Sequence, residues 1–182
     1  MPEEKPKIVI VGFGFLMQFI KPCYHALLGP SLQDSIVGTT ATAATIPAKQ
    51  AALGFEIRHQ SVLPTLREEE PDIIMLAPPP SAIGDLSRDI LATYYEEQRA
   101  ANQPLPLLYS YAPDPTVTFY PRTLGEDVLA VNILPNMTYD PEVNPQRAYS
   151  VITYANKSTW PAEQIALLER FLAPLGSILE VD

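Results

Sequence analysis

Lys7-Ile-Val-Ile-Val11, running straight into Gly12-Phe-Gly14-Phe-Leu-Met17, is the stretch that decides the fold. Its β-branched, uniformly apolar residues suit a strand covered on both faces, as in a parallel sheet. A Gly-x-Gly turn between such a strand and a helix meets the demands of a dinucleotide pyrophosphate. Gly12 permits the sharp turn, and Gly14 lets the backbone approach with no side chain in the way. The exposed N–H groups at the helix start then bind the anion. The same glycines also fit a plain turn with no ligand, so the context has to carry the reading. The third position of the pattern, usually Gly or Ala, is Met17. A bulky residue there is expected to push the helix off the sheet or shift its register.

Working outward, short apolar runs alternate with amphipathic stretches, which predicts an α/β, Rossmann-like, doubly wound fold. The predicted strands are 7–11, 35–38, 55–59, 72–76, 106–110, 127–134, 148–154 and 177–181, about eight in a mainly parallel sheet. Predicted helices cover 15–28, 43–53 and 81–101. A last helix carries Pro161 in its first turn, turns Ile165, Leu168 and Leu172 inward, and stops at Gly176. Pro22 either kinks the first helix or begins a second short one. Of Tyr94 and Tyr95, one is expected to pack and the other to be exposed. Residues 111–124, with three prolines, have no clear assignment. Glu68-Glu-Glu70 reads as a solvated run. No repeat or linker interrupts the chain, so residues 1–182 read as a single domain.

Composition narrows the function. A chain of 182 residues that is 47% apolar and 18% charged can bury roughly 70% of its unfolded surface without staples. Twenty prolines exclude a helical bundle. A formal charge of −9 disfavours nucleic acid and anionic membranes as partners. One cysteine, Cys23, excludes an internal disulfide framework and a cysteine-based zinc site. Cys23 and His25 point to different faces of a helix, and no metal site is expected. With no apolar run of membrane length and no signal-peptide core, the expected location is the cytoplasm.

Residues after a second strand usually choose the cofactor, a carboxylate there holding a ribose 2′-OH. Here the stretch is Gly38-Thr-Thr-Ala-Thr42, read as a loop. Thr39 and Thr40 could donate to a phosphate, with Lys49 near, which leans toward NADP over NAD; a plain polar loop is the alternative. Ala77, Pro78 and Pro79, at the end of the fourth strand, either line a cofactor ribose or only terminate the strand. Asn136 either hydrogen-bonds a carboxamide or is a turn residue after Pro135. Tyr109 and Tyr111 favour packing over stacking on a cofactor ring.

Gly12-Phe-Gly14, Ala77-Pro-Pro79, Ser110-Tyr-Ala112 and above all Leu124-Gly-Glu-Asp-Val-Leu-Ala-Val-Asn-Ile-Leu-Pro-Asn136 resemble pyrroline-5-carboxylate reductase. The wider group is the F420-dependent NADP oxidoreductase-like domains. The resemblance implies a nicotinamide-dinucleotide domain contacted by Gly12, Phe13, Gly14, Phe15, Leu16, Met17, Thr39, Thr40, Ala77, Pro78 and Pro79, with Asn136 near the nicotinamide end. Phe13, Phe15 and Met17 are bulkier than the family's usual residues. In that family a helical C-terminal domain follows the last strand, makes the dimer and supplies the imino-acid pocket. The resemblance therefore implies a domain that holds the hydride donor without the acceptor pocket, with a homo-oligomer or the helical domain as candidate partner. The alternative is a non-catalytic module that keeps the fold to recognise a partner protein or a nucleotide. Orienting the acceptor contributes about 7–11 kcal/mol to such a reaction.

Overall fold

The strand that opens the chain, β1 (Ile8–Val11), sits inside the sheet with every residue buried. The computed structural model describes residues 5–12, 15–136 and 148–181. In them β1 pairs in parallel with β2 (Ile36–Thr40) on one side and β4 (Ile73–Leu76) on the other. β3 (Glu56–His59) flanks β2, while β5 (Leu107–Ser110) and β6 (Ala130–Pro135) continue beyond β4, all parallel. β7 (Tyr149–Tyr154) turns back antiparallel to β6, and β8 (Ser177–Glu180) runs parallel to β7 at the far edge. The order is 3-2-1-4-5-6-7-8, a doubly wound Rossmann-like sheet of eight strands, mostly parallel.

Alternation along β1 builds two cores. Ile8 and Ile10 join Ile36, Tyr24 and Phe171 on one face; Val9 and Val11 join Leu66, Leu91 and Tyr94 on the other. The first face carries α2 (Lys21–Leu28) and α9 (Ala162–Leu172); the second carries α5 (Val62–Glu69), α7 (Ala92–Ala100) and α8 (Phe119–Leu124).

Several expected boundaries move. The first helix is two: α1 (Phe15–Phe19) ends at Ile20, and α2 restarts with Pro22 in its first turn, where the missing N–H is harmless. Pro47 likewise sits in the first turn of α4 (Ile46–Leu53). A four-residue helix, α3 (Leu32–Ser35), leads into β2. β2 runs two residues past Gly38, so Thr39 and Thr40 are buried strand residues and not a loop. The helix beyond β4 begins as α6 (Pro80–Asp85), widens into a looser turn over Leu86–Leu91 and continues as α7. Tyr94 and Tyr95 are both buried, because α7 packs on the sheet side and also against α5 and α8. The Tyr95 hydroxyl donates to the carbonyl of Pro106 at 3.0 Å.

Glu68 and Glu69 do more than meet solvent. Arg58 on β3 reaches Glu68 at 2.9 Å and Glu69 at 2.7 Å, besides Glu56 at 2.8 Å. The Arg58 hydrogen bond holds the Glu56 carboxyl below its ordinary range. Arg67 does the same to Glu97, and Arg99 to Asp127. Carboxyls whose folded-state pKa is lowered contribute stability above the unfolded value of about 4, and lose it as pH falls through the folded value. The thermal midpoint should therefore drop as pH falls from about 5 to about 3. An Arg58→Ala variant should show a shallower drop; a slope identical to the parent's would refute this role for β3.

Candidate functional site

All six parallel strands end on one edge of the sheet, and at that edge the chain crosses to opposite faces from β1 and from β4. A switch point of this kind is where doubly wound sheets bind their ligands, between two strand ends. Gly12 stands there at φ +85°. Its N–H donates to the Thr39 carbonyl at 3.1 Å, and the Ala77 N–H donates to the Val11 carbonyl at 2.9 Å. A Cβ on Gly12 would lie 2.5 Å from the Pro78 nitrogen and 2.8 Å from the Ala77 carbonyl carbon. The glycine is required by backbone packed on backbone, a constraint from the neighbouring strand that its own turn does not reveal.

Phe13 and Gly14 lie outside the described residues, and of Phe15 only its place at the start of α1 is described. Leu16 is half-buried against the first core. Met17 is fully buried there, and its sulfur accepts the Tyr24 hydroxyl at 3.3 Å. Its bulk is thus taken into the core, under a helix only five residues long. Cys23 is buried beside it, and burial pushes its thiol well above the ordinary range, which makes it inert.

Thr39 and Thr40 end β2 differently. The Thr39 hydroxyl donates to the Ile10 carbonyl at 3.3 Å, inside the sheet. The Thr40 hydroxyl accepts from the Lys49 ammonium and from the Thr42 N–H, both at 3.4 Å. Lys49 comes from α4, and partial burial lowers its pKa. A hydroxyl and a cation thus meet at the end of β2, where an acidic residue would otherwise face a ribose.

Across the switch point, Ala77 and Pro78 are half-buried; Pro79 is exposed, and its carbonyl accepts the Ala82 N–H at the start of α6. Tyr109 and Tyr111 are packed in the first core and do not face the crevice. Asn136 follows β6 on the same edge, half-buried, its N–H donating to the Tyr149 carbonyl at 2.8 Å. Three strand spacings separate β1 from β6, so Gly12 and Asn136 stand about 14 Å apart along this edge.

A polar group that the sequence reading did not assemble sits under the β5–β6 end of this edge. Ser110 and Asn132 are register partners. Ser110 Oγ lies 2.6 Å from the Tyr120 hydroxyl, and Asn132 Nδ2 donates to the Pro115 carbonyl at 3.5 Å. Burial pushes the Tyr120 phenol up to about 12, with Asp114 adding to the shift and Ser110 opposing it. Tyr120 lies in the proline-rich stretch that had no assignment, so nothing local pointed to the pairing. A separate groove of about 420 Å³ between α2 and α4, lined by Lys21, His25, Gly29 and Gly54, lies at the opposite end of the strands.

Among the described residues no group of three or more His, Cys, Asp or Glu side chains is placed to hold a metal ion. No helix there is long and apolar enough to cross a membrane.

The strand order and the switch point define the chain as a Rossmann-like, doubly wound domain. No protein-family model matches it, and no curated protein does. Solved structures do. A pyrroline-5-carboxylate reductase from Coxiella burnetii is 18% identical, with a TM-score of 0.71, over 98% of this chain and 60% of that one. The Plasmodium falciparum pyrroline carboxylate reductase with NADP bound is 16% identical, with a TM-score of 0.68, over 98% and 58%. A prephenate dehydrogenase from A. aeolicus, in complex with hydroxyphenyl propionate and NAD+, is 15% identical, with a TM-score of 0.70, over 100% and 62%. The chain therefore spans about three fifths of these proteins and is similar to part of each.

Proposed function

We propose that this domain binds NADP and holds NADPH for hydride transfer to a C=N or C=O bond, in the manner of a pyrroline-5-carboxylate reductase-like enzyme. The observation that carries the reading is the convergence of Gly12, Thr40 with Lys49, Ala77–Pro78 and Asn136 on one edge, either side of the switch point. Main-chain groups of Gly12 to Met17, with Phe13, Gly14, Phe15 and Leu16 between them, would face the pyrophosphate. Thr39 would contribute its main chain, and Thr40 with Lys49 would face the 2′-phosphate. Ala77, Pro78 and Pro79 would line a ribose, and Asn136 would reach the carboxamide. The nicotinamide supplies the hydride chemistry; the domain positions it and keeps its phosphates paired.

A second reading, a non-catalytic module that senses the nucleotide, is favoured by the brevity of α1. One turn of helix presents a weaker macrodipole to a pyrophosphate than a long helix does.

Thermal melts with NADPH, with NADH and with neither test both. Nucleotide at 100 times its dissociation constant adds about 2.7 kcal/mol, or about 5–11 °C for a domain of this size. Lys49→Ala should weaken NADPH by about tenfold, equivalent to one charge-assisted contact, and leave NADH unchanged. No shift with either nucleotide at millimolar concentration would refute dinucleotide binding. A shift without turnover of any cyclic imine would support the sensing module.

A further inference from the structure

Register sets His59, the last residue of β3, directly beside Thr40, the last residue of β2. Neighbouring strands lie about 4.8 Å apart, and partners in register turn to the same face of the sheet. Here that face is the first core's, where Ile57 of β3 and Leu53 of α4 are buried. The Lys49 ammonium and the Thr42 N–H both donate to the Thr40 hydroxyl at 3.4 Å. The exposed His59 ring donates from Nε2 to the Ala41 carbonyl at 3.1 Å. Imidazole and ammonium therefore reach the same short turn, Thr40 to Thr42, one from β3 and the other from α4.

Charge is sorted across the sheet at this end. Glu56 and Arg58 alternate with Ile57 and His59, so they point to the opposite face. There Arg58 gathers Glu56, Glu68 and Glu69, each within 2.9 Å. Three carboxylates are thus tied to one arginine on the side away from His59. In a chain of net charge −9, a turn where two basic side chains meet a hydroxyl suits an anion. The ring is set up for one. A carbonyl only accepts, so Nε2 carries a hydrogen and Nδ1 is the ring atom that remains for a ligand. When protonated, Nδ1 donates to a phosphate oxygen and brings a second positive charge beside Lys49.

We infer that His59 is a specificity-determining residue: together with Lys49 and Thr40 it reads the 2′-phosphate of NADP against the bare 2′-hydroxyl of NAD. The inference rests on the dinucleotide reading proposed above and adds to it a residue from the neighbouring strand. A histidine closing an edge strand carries no such signal by itself; its register with Thr40 supplies it.

Calorimetric titration of the full chain with NADPH, NADH and adenosine 2′-phosphate tests this. His59→Gln keeps a donor for the Ala41 carbonyl and removes the charge. It should weaken NADPH and adenosine 2′-phosphate by about tenfold, the loss of one charge-assisted contact, and leave NADH unchanged. His59→Glu supplies a carboxylate that accepts from a ribose hydroxyl and repels a phosphate. It should weaken NADPH by about a hundredfold, one factor of ten for the lost contact and another for the repulsion, while NADH binds at least as tightly as to the parent. His59 is exposed, so both variants should keep the parent's circular dichroism spectrum. Equal NADPH affinity in the parent and both variants would overturn the role of His59 and leave dinucleotide binding standing. A parallel loss of NADH affinity would overturn it too, since the ring would then shape the turn without reading the phosphate. Failure of the parent to bind any of the three ligands would sink the dinucleotide reading and this inference together.

Discussion

Gly12→Ala should lower stability by about 3 kcal/mol, a drop of about 6–12 °C in thermal midpoint. Two costs add. A left-handed backbone costs an L-residue about 1–2 kcal/mol, and Gly12 sits at φ +85°. The new methyl would also lie 2.5 Å from the Pro78 nitrogen, and main chain cannot move aside as a flexible side chain can. Gly54→Ala separates the two. Gly54 has φ +83°, but its nearest neighbour to an added Cβ is Leu32 Cδ2 at 4.0 Å, so only the backbone cost applies. Gly12→Ala should exceed Gly54→Ala by at least about 1 kcal/mol. Equal midpoints for the two variants would show that the β1–β4 contact does not hold the crevice. Relief of the clash requires the Ala77–Pro78 segment to withdraw, so on the proposed function nucleotide affinity should fall as well.

Phe171→Ala should cost about 3–5 kcal/mol, or about 6–20 °C. Phe171 is fully buried on α9, its ring centroid 5.9 Å from that of Tyr24 on α2 and 6.2 Å from that of Tyr109 on β5. The ring therefore joins the last helix, α9, to α2 and β5. Tyr24 in turn holds Met17, so a cavity at position 171 opens beneath α1. Phe171→Leu keeps most of the volume and should cost less than half as much. A loss below about 1 kcal/mol for Phe171→Ala would mean that α9 collapses freely onto the sheet and does not set the position of α2.

Much of the fold is readable locally. β1 and β4 are uniformly apolar because parallel strands are buried on both faces, and that pattern needs no partner to be recognised. Other elements hide. α5 holds Pro64 and ends in a run of glutamates, whose solvated look conceals their bonds to Arg58. α8 holds Pro121, tolerated in its first turn, within a stretch whose prolines suggest only a loop. Tyr94 and Tyr95 read as one inside and one outside because helical periodicity assumes a single buried face, and α7 has neighbours on more than one side.

The candidate crevice divides in the same way. Gly12 and the residues after β4 are recognisable by their position after apolar strands. The roles of Thr39 and Thr40 depend on where β2 ends, and that is set by pairing with β1 and β3. Residue identity alone could not tell that one hydroxyl is spent on Ile10 and the other stands beside Lys49.

The amino-acid order by itself determined an alternating α/β chain with a central strand and a glycine turn, because burial on two faces leaves an unbroken apolar run within a few residues. Only the tertiary structure decided that Gly12 faces Pro78 and that Ser110, Tyr120 and Asn132 share one buried site. Those outcomes are contacts between distant segments. Their energies belong to pairs, and no single stretch of sequence carries a pair.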